Sequence, residues 1–273
     1  MKDETTTPRV LVSIPYAHKD ADVIARAVNS IDRGPNPTIV VTADGHYNRW
    51  PLQTTGPVIF HTLPKLGRYF IDAVTSRAGI LAGYTHWTTH DADDWSAPHR
   101  LSTLLAVMDE TGADVVAGGE QVHGQIRATQ VSPKPTTRTR QIRHNWHMSA
   151  LYRLPIPALI IHPEYPVGWD SIMSMILAYC GDVKVAYDHA PTYHREKRAG
   201  SLTTDPKTDF GSATRAQAVA QMGRLWRKFP TAYTYDQAVE LVKGTINKTV
   251  DSIVDHYAHN LAAVLTAHQS ATP

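Results

Sequence analysis

The segment His86–Leu101, HWTTHDADDWSAPHRL, sets Asp91, Asp93 and Asp94 side by side directly after an alternating, strand-like run. The chain carries only 25 acidic residues among 273, so this crowding stands out. Neighbouring carboxylates repel unless a cation or solvent offsets the charge. Three readings fit. The cluster holds a metal ion, Asp94 or Ser96 caps a helix beginning near Pro98, or the acids form a solvated loop.

Outward from this segment, apolar runs alternate with amphipathic ones. Arg9–Tyr16 (RVLVSIPY) predicts a buried strand. Asp20–Ile31 predicts a helix with Asp20 as its cap, because Val23, Ile24, Ala27, Val28 and Ile31 recur at helical spacing. Thr38–Ala43 and Pro57–His61 predict strands, Gly67–Gly83 a helix and Tyr84–His90 the strand that leads into the acids. Beyond them, a helix over Ala97–Gly112, a strand over Ala113–Gly119, a helix over Ser171–Cys180 and a strand over Asp182–Tyr193 complete the pattern. Strands alternating with helices predict an α/β sheet with parallel strands, flanked by helices. Two helical segments, Ser212–Phe229 and Tyr235–His268, follow as a C-terminal helical extension. The expected division is a sheet domain over 1–208 and the extension over 209–273.

Composition narrows the function classes. Hydrophobic residues make up 42% and charged residues 19%, which suits a globular chain. A net charge of +2 is too mild to argue for nucleic-acid binding. With one cysteine, Cys180, there is no intrachain disulfide and no cysteine-rich zinc site. No apolar run reaches the roughly 20 residues that span a bilayer, and the N-terminus shows no secretory signal, so a cytoplasmic protein is expected.

In open α/β sheets, ligands bind beyond the carboxyl ends of the strands. Asp44 follows one predicted strand, and Asp91 and Asp93 follow another, so carboxylates arrive at one edge from two strands. Two residues apart on extended backbone, Asp91 and Asp93 point to the same side, where Mg²⁺ or Mn²⁺ and a diphosphate fit.

The ordered segments VLVSIPYAHKDADVIARAVNSI, IVVTADG, SRAGILAGYTHWTTHDADDWSAPHRL and GWDSIMSMILAYCGDVKVAYDHAPTYHREKRAGSLT resemble family-2 type glycosyltransferases of the Rossmann-like GT-A fold. The resemblance spans about residues 9–204. It implies a metal-dependent, inverting hexosyltransferase-like enzyme that uses a nucleotide-sugar donor, a UDP-sugar foremost, with Mn²⁺ or Mg²⁺. By the same resemblance, Pro15 and Tyr16 close the first strand at the donor, and Asp44 holds the base. Arg77 contacts the donor's diphosphate or base, Arg195 and Arg198 contact the diphosphate, Asp91 meets the ribose or the metal, and Asp93 holds the metal, with His194 completing the metal or phosphate site. Asp170 is the general base, and Trp169 offers an apolar platform to a sugar ring. Local readings compete: Asp170 as a helix cap, Trp169 as core, Arg77 as a surface arginine and the 194–198 region as a solvated basic loop. The acceptor is open between a glycan, a protein side chain and a modified DNA base. The last is suggested by Arg138, Arg140, Arg143 and Trp146 within Lys134–His147. A nucleotidyltransferase and a non-catalytic nucleotide-sugar-binding module are the alternatives. The first normally shows a glycine-rich loop after strand one, which SIPYAHKDAD lacks.

Overall fold

A computed structural model describes residues 7–45, 54–122, 124–127, 146–196, 198, 201 and 204–271. Its strands are β1 (Val10–Tyr16), β2 (Thr38–Asp44), β3 (Ile59–Leu63), β4 (His86–Thr89), β5 (Trp95–Ser96), β6 (Val115–Val122), β7 (Gln125–Arg127), β8 (Ala150–Arg153) and β9 (Val185–Arg195). Among the described residues these form one mixed sheet in the order β3-β2-β1-β4-β8-β6-β9-β5, with β7 paired to β6. The β3-β2-β1-β4 half is parallel, β8 runs against both its neighbours, and β9 is parallel to β6. The helices are α1 (Ile24–Asn29), α2 (Arg68–Leu81), α3 (Arg100–Thr111), α4 (Trp169–Tyr179), α5 (Ala213–Trp226), α6 (Tyr235–Lys243) and α7 (Lys248–Ala271).

The strand alternation builds two cores. In β1, Leu11 faces the layer of α2, α4 and the C-terminal helices, whereas Val10, Val12, Ile14 and Tyr16 face α1 and α3. In β2, Val40 and its neighbours Ile39 and Val41 divide the same way, as the period of two requires. Both faces are therefore covered, which explains why the strands read as nearly continuous apolar runs.

Gly118 and Gly119 allow the chain to pack where β6 meets β8 and β9. A Cβ on Gly119 would lie 2.5 and 2.7 Å from the Ala190 and His189 carbonyl oxygens. The β6–β9 register shifts at these glycines, and such a bulge re-aims the following side chain, Glu120.

Several expectations need local correction. The second C-terminal segment is two helices rather than one. The chain breaks after α6 at Gly244, and Asn247 Oδ1 accepts from the Thr249 amide at 2.9 Å to start α7. Helix α7 packs against α2, with Val254, Ala258, Leu261 and Leu265 in the same core as Phe70, Ala73 and Val74. Asp20 does not cap α1. It lies in a short 3₁₀ turn, His18–Asp20, and accepts from the Ala17 amide at 3.2 Å. No helix among the described residues is long and apolar enough to cross a membrane.

Candidate functional site

The carboxyl ends of β1, β2 and β4 open into a cavity of about 520 Å³. Its wall includes Pro15, Tyr16, Asp44, Asp91, Asp93, Asp170 and Arg195, all expected site residues. Asp44 and Asp93 thus share one cavity, as the parallel register of β2, β1 and β4 dictates.

Asp44 is held at the end of β2 by the chain entering α2. Its Oδ1 accepts from the Leu66 and Gly67 amides at 2.9 and 3.0 Å. The acidic segment after β4 is a turn and not extended backbone, with the Asp94 amide donating to the Asp91 carbonyl at 3.3 Å. Asp91, Asp93 and Asp94 therefore converge through chain reversal, their oxygens within 4.8 Å of one another. Neither Asp94 nor Ser96 caps α3. That helix starts at Arg100 after His99, whose side chain makes no capping bond, and its Ser102 amide donates to Asp32 Oδ2 at 2.8 Å. Asp94 instead accepts from the Glu196 amide at 3.1 Å. Burial and the adjacent Asp93 push the Asp94 carboxyl up to about 7.

Two arginines meet the cluster. Arg68, at the start of α2, pairs with Asp91 and reaches Asp72 at 3.3 Å. Arg198 donates from Nε to Asp93 at 3.1 Å, pairs with Asp20 and donates to the Lys19 carbonyl at 2.9 Å. Arg198 thus contacts the residues that form the wall. Arg195 reaches Glu120, another wall residue, at 3.4 Å. Burial opposes the Arg195 charge, but Glu120 and Asp94 hold its affinity for the proton above the ordinary value.

Beneath the acids lies a polar layer that the sequence reading missed. His90 is fully buried and bonds to Ser96 Oγ at 3.0 Å and the Asp91 carbonyl at 2.8 Å. Burial, aided by Arg100 and Arg68, lowers its pKa well below the ordinary value, so the ring is neutral. Tyr193 accepts from the Asp91 amide at 3.0 Å and fixes the turn from below. His147 belongs to the same layer. It is 1% exposed and joins Tyr152 at 2.7 Å and Asp72 at 3.5 Å.

Asp170 sits in the first turn of α4, whose cap is Gly168 at a φ of +81°, so it is not the capping residue. Its Oδ1 accepts from the buried Tyr69 hydroxyl at 3.0 Å. Tyr69 and Arg68 lacked any local signal. Only the approach of α2 to α4 and to the turn after β4 makes them wall residues.

Besides Arg198, which contacts wall residues without lining the cavity itself, three expected residues are not brought into the wall. Arg77 is directed to α7, where it pairs with Asp251 at 2.6 Å and Asp255 at 2.7 Å. Trp169 is 0% exposed and donates to the Ile160 carbonyl at 3.0 Å, which leaves no ring face for a ligand. His194 stacks on Trp95 with centroids 3.6 Å apart and does not belong to the converging acids. Of the basic stretch considered for DNA, Arg138, Arg140 and Arg143 lie outside the described residues, and Trp146 is 4% exposed in the core.

Oxygen-only donors crowded at one point match the preference of Mg²⁺ and Mn²⁺. Asp91, Asp93 and Asp94 can each bring one oxygen to within 4.8 Å of the others, so the residues present fit such an ion.

No protein-family model and no curated protein sequence matches the chain. Solved structures do. S. aureus TarS residues 1–349 superpose with a TM-score of 0.52 at 14% identity, over 86% of this chain and 70% of that one. The complex of the same protein with UDP gives 0.52 at 16% identity, over 94% and 89%. Its complex with UDP-GlcNAc gives 0.50 at 15%, also over 94% and 89%. Sheet order, flanking helices and this superposition together establish that the chain has a GT-A-type α/β fold.

Proposed function

We propose that the protein is a metal-dependent, inverting glycosyltransferase acting on a nucleotide-sugar donor, with a UDP-sugar as the first candidate. One observation carries this reading: Asp44, Asp91, Asp93 and Asp170, from three separate parts of the chain, line a single cavity at the carboxyl edge of the parallel strands. A cavity of about 520 Å³ is of the size small-molecule sites use. The structural neighbour TarS has complexes with UDP and with UDP-GlcNAc, which supports the same donor class here.

In this reading Asp44 and the Pro15–Tyr16 end of β1 take the nucleoside. Arg195 and Arg198 face the diphosphate, where planar guanidinium groups pair well with phosphate oxygens. Asp93, with Asp91 beside it, would hold Mn²⁺ or Mg²⁺; a bound ion supplies Lewis-acid stabilisation of charge on the departing diphosphate. Asp170 takes the proton of the acceptor hydroxyl as its oxygen bonds to the anomeric carbon. The bond from that carbon to the diphosphate oxygen breaks, and its electron pair leaves with the nucleoside diphosphate. Attack from the face opposite the leaving group inverts the anomeric centre. Tyr69 holds one Asp170 oxygen, which orients the carboxylate.

The test compares wild-type protein with Asp170→Asn. UDP-GlcNAc is incubated with Mn²⁺ and candidate acceptors, and released UDP is measured. The variant should keep donor binding and lose UDP release by a factor of about 10² or more. Unchanged release would remove Asp170 as the base.

A further inference from the structure

Phe210 is 77% exposed, and among the described residues no large apolar side chain is more exposed. A single exposed apolar residue is ordinary on a protein surface. Phe210 is different because it lies in the wall of the cavity that contains Asp170.

The ring is also fixed in place. Arg215 lies over it, with its guanidinium carbon 4.7 Å from the ring centroid. Arg215 Nε donates to the carbonyls of Thr208 and Asp209 at 2.9 and 3.2 Å. Asp209 Oδ1 accepts from the Gly211 amide at 3.0 Å, and Ser212 Oγ caps α5 by accepting from the Arg215 amide at 3.2 Å. Presenting an apolar ring to water on a braced turn costs hydration free energy, which a ligand covering the ring would recover.

The helix that follows the ring also touches the element that carries Asp170. Arg215 and Met222 are seven residues apart on α5, two turns along one face. Met222 abuts Gly168, where an added Cβ would be 3.0 Å from its Cε. Gly168 precedes Asp170 at the start of α4. Helix α5 therefore packs against the start of α4, the turn that carries Asp170, and Phe210, Arg215 and Asp170 line the same cavity. Trp169 would be the sequence-level candidate for a sugar platform, but it has no free face.

We propose that Phe210 is the acceptor-side platform, stacking on the apolar C–H face of an uncharged saccharide ring whose hydroxyl faces Asp170. This rests on the transferase reading and names its acceptor class. A phenyl ring offers no hydrogen bond, so it recognises a ring face and leaves the hydroxyl pattern to Asp170 and its neighbours.

The experiment uses the full chain with UDP and Mn²⁺ present. Saturation-transfer difference NMR monitors a panel of methyl glycosides of common hexoses and N-acetylhexosamines, with wild-type protein, Phe210→Ala and Phe210→Trp. UDP affinity is measured in parallel. Wild-type protein should bind at least one glycoside, Phe210→Trp should retain it, and Phe210→Ala should weaken it about fivefold or more, as expected from uncovering roughly 40 Å² of apolar ring. UDP affinity should be equal in all three proteins. The inference is overturned if no glycoside binds, if Phe210→Ala binds as well as wild type, or if Phe210→Ala loses UDP, which would place the ring at the donor. Absence of UDP binding by the wild-type protein would instead sink the transferase reading itself.

Discussion

The Tyr69 hydroxyl, buried on α2, donates to Asp170 Oδ1 on α4 at 3.0 Å across 101 residues of chain. A carboxylate that must take a proton from one direction benefits from having its other oxygen occupied. Burial and the negative Asp170 nearby both raise the Tyr69 pKa well above its ordinary value, so the phenol remains a donor.

Tyr69→Phe is therefore expected to lower kcat about tenfold, the scale of one hydrogen bond to a charged group, with UDP affinity unchanged. Steady-state kinetics beside calorimetric UDP binding checks this. Loss of UDP affinity with kcat preserved would show that Tyr69 serves the donor and not Asp170.

Arg77 makes the opposite prediction. Its guanidinium joins α2 to Asp251 and Asp255, which are spaced one turn apart on α7. Asp251 and Asp255 are partly exposed, so water screens the loss. Arg77→Leu should cost about 2 kcal/mol in urea unfolding while UDP affinity stays unchanged. A variant of normal stability that no longer binds UDP would return Arg77 to the donor site.

Asp93 tests the ion. Mn²⁺ with UDP should raise the thermal midpoint of the wild-type protein, by linkage to the folded state. Asp93→Asn should abolish that rise while changing the midpoint little in the absence of metal, because relief of crowding with Asp94 offsets the weaker bond to Arg198. An equal Mn²⁺-dependent rise in the variant would exclude Asp93 as a ligand.

His86 sets a pH dependence. It is 4% exposed, and burial, reinforced by Arg153, lowers its pKa to about 4 from 6.5. Between those values the unfolded chain binds a proton that the folded chain refuses, so stability rises with pH from 4 to 6.5 and this contribution is flat outside that window. From pH 7 down to pH 5 the loss due to His86 should be roughly 1–2 kcal/mol. His86→Gln should remove that part of the difference between urea midpoints at the two pH values. An unchanged difference would assign the dependence to other groups.

The strands and the acidic edge were legible because they are local. VLVSIPY and TIVVTAD are buried on both faces, and their ends fix where Asp44 and Asp91 emerge. The Asp91–Asp94 turn was misjudged as extended, since one alternating run cannot show where its strand stops. Tyr69 and Glu120 were invisible because their partners, Asp170 and Arg195, are distant in sequence. Trp169 and Arg77 matched motif positions, yet packing against Ile160 and α7 decides where they point. Phe210 gave no signal at all, because exposure of a lone aromatic is a property of the folded surface.

The most direct test of the central claim, that this cavity receives a nucleoside diphosphate, is calorimetric titration of UDP into the wild-type protein, Asp44→Ala and Asp93→Asn with Mn²⁺ present. The account predicts one UDP per chain for wild type and at least about tenfold weaker binding for each variant, the loss of a charged contact. No UDP binding by the wild-type protein, or equal binding by all three, would contradict it.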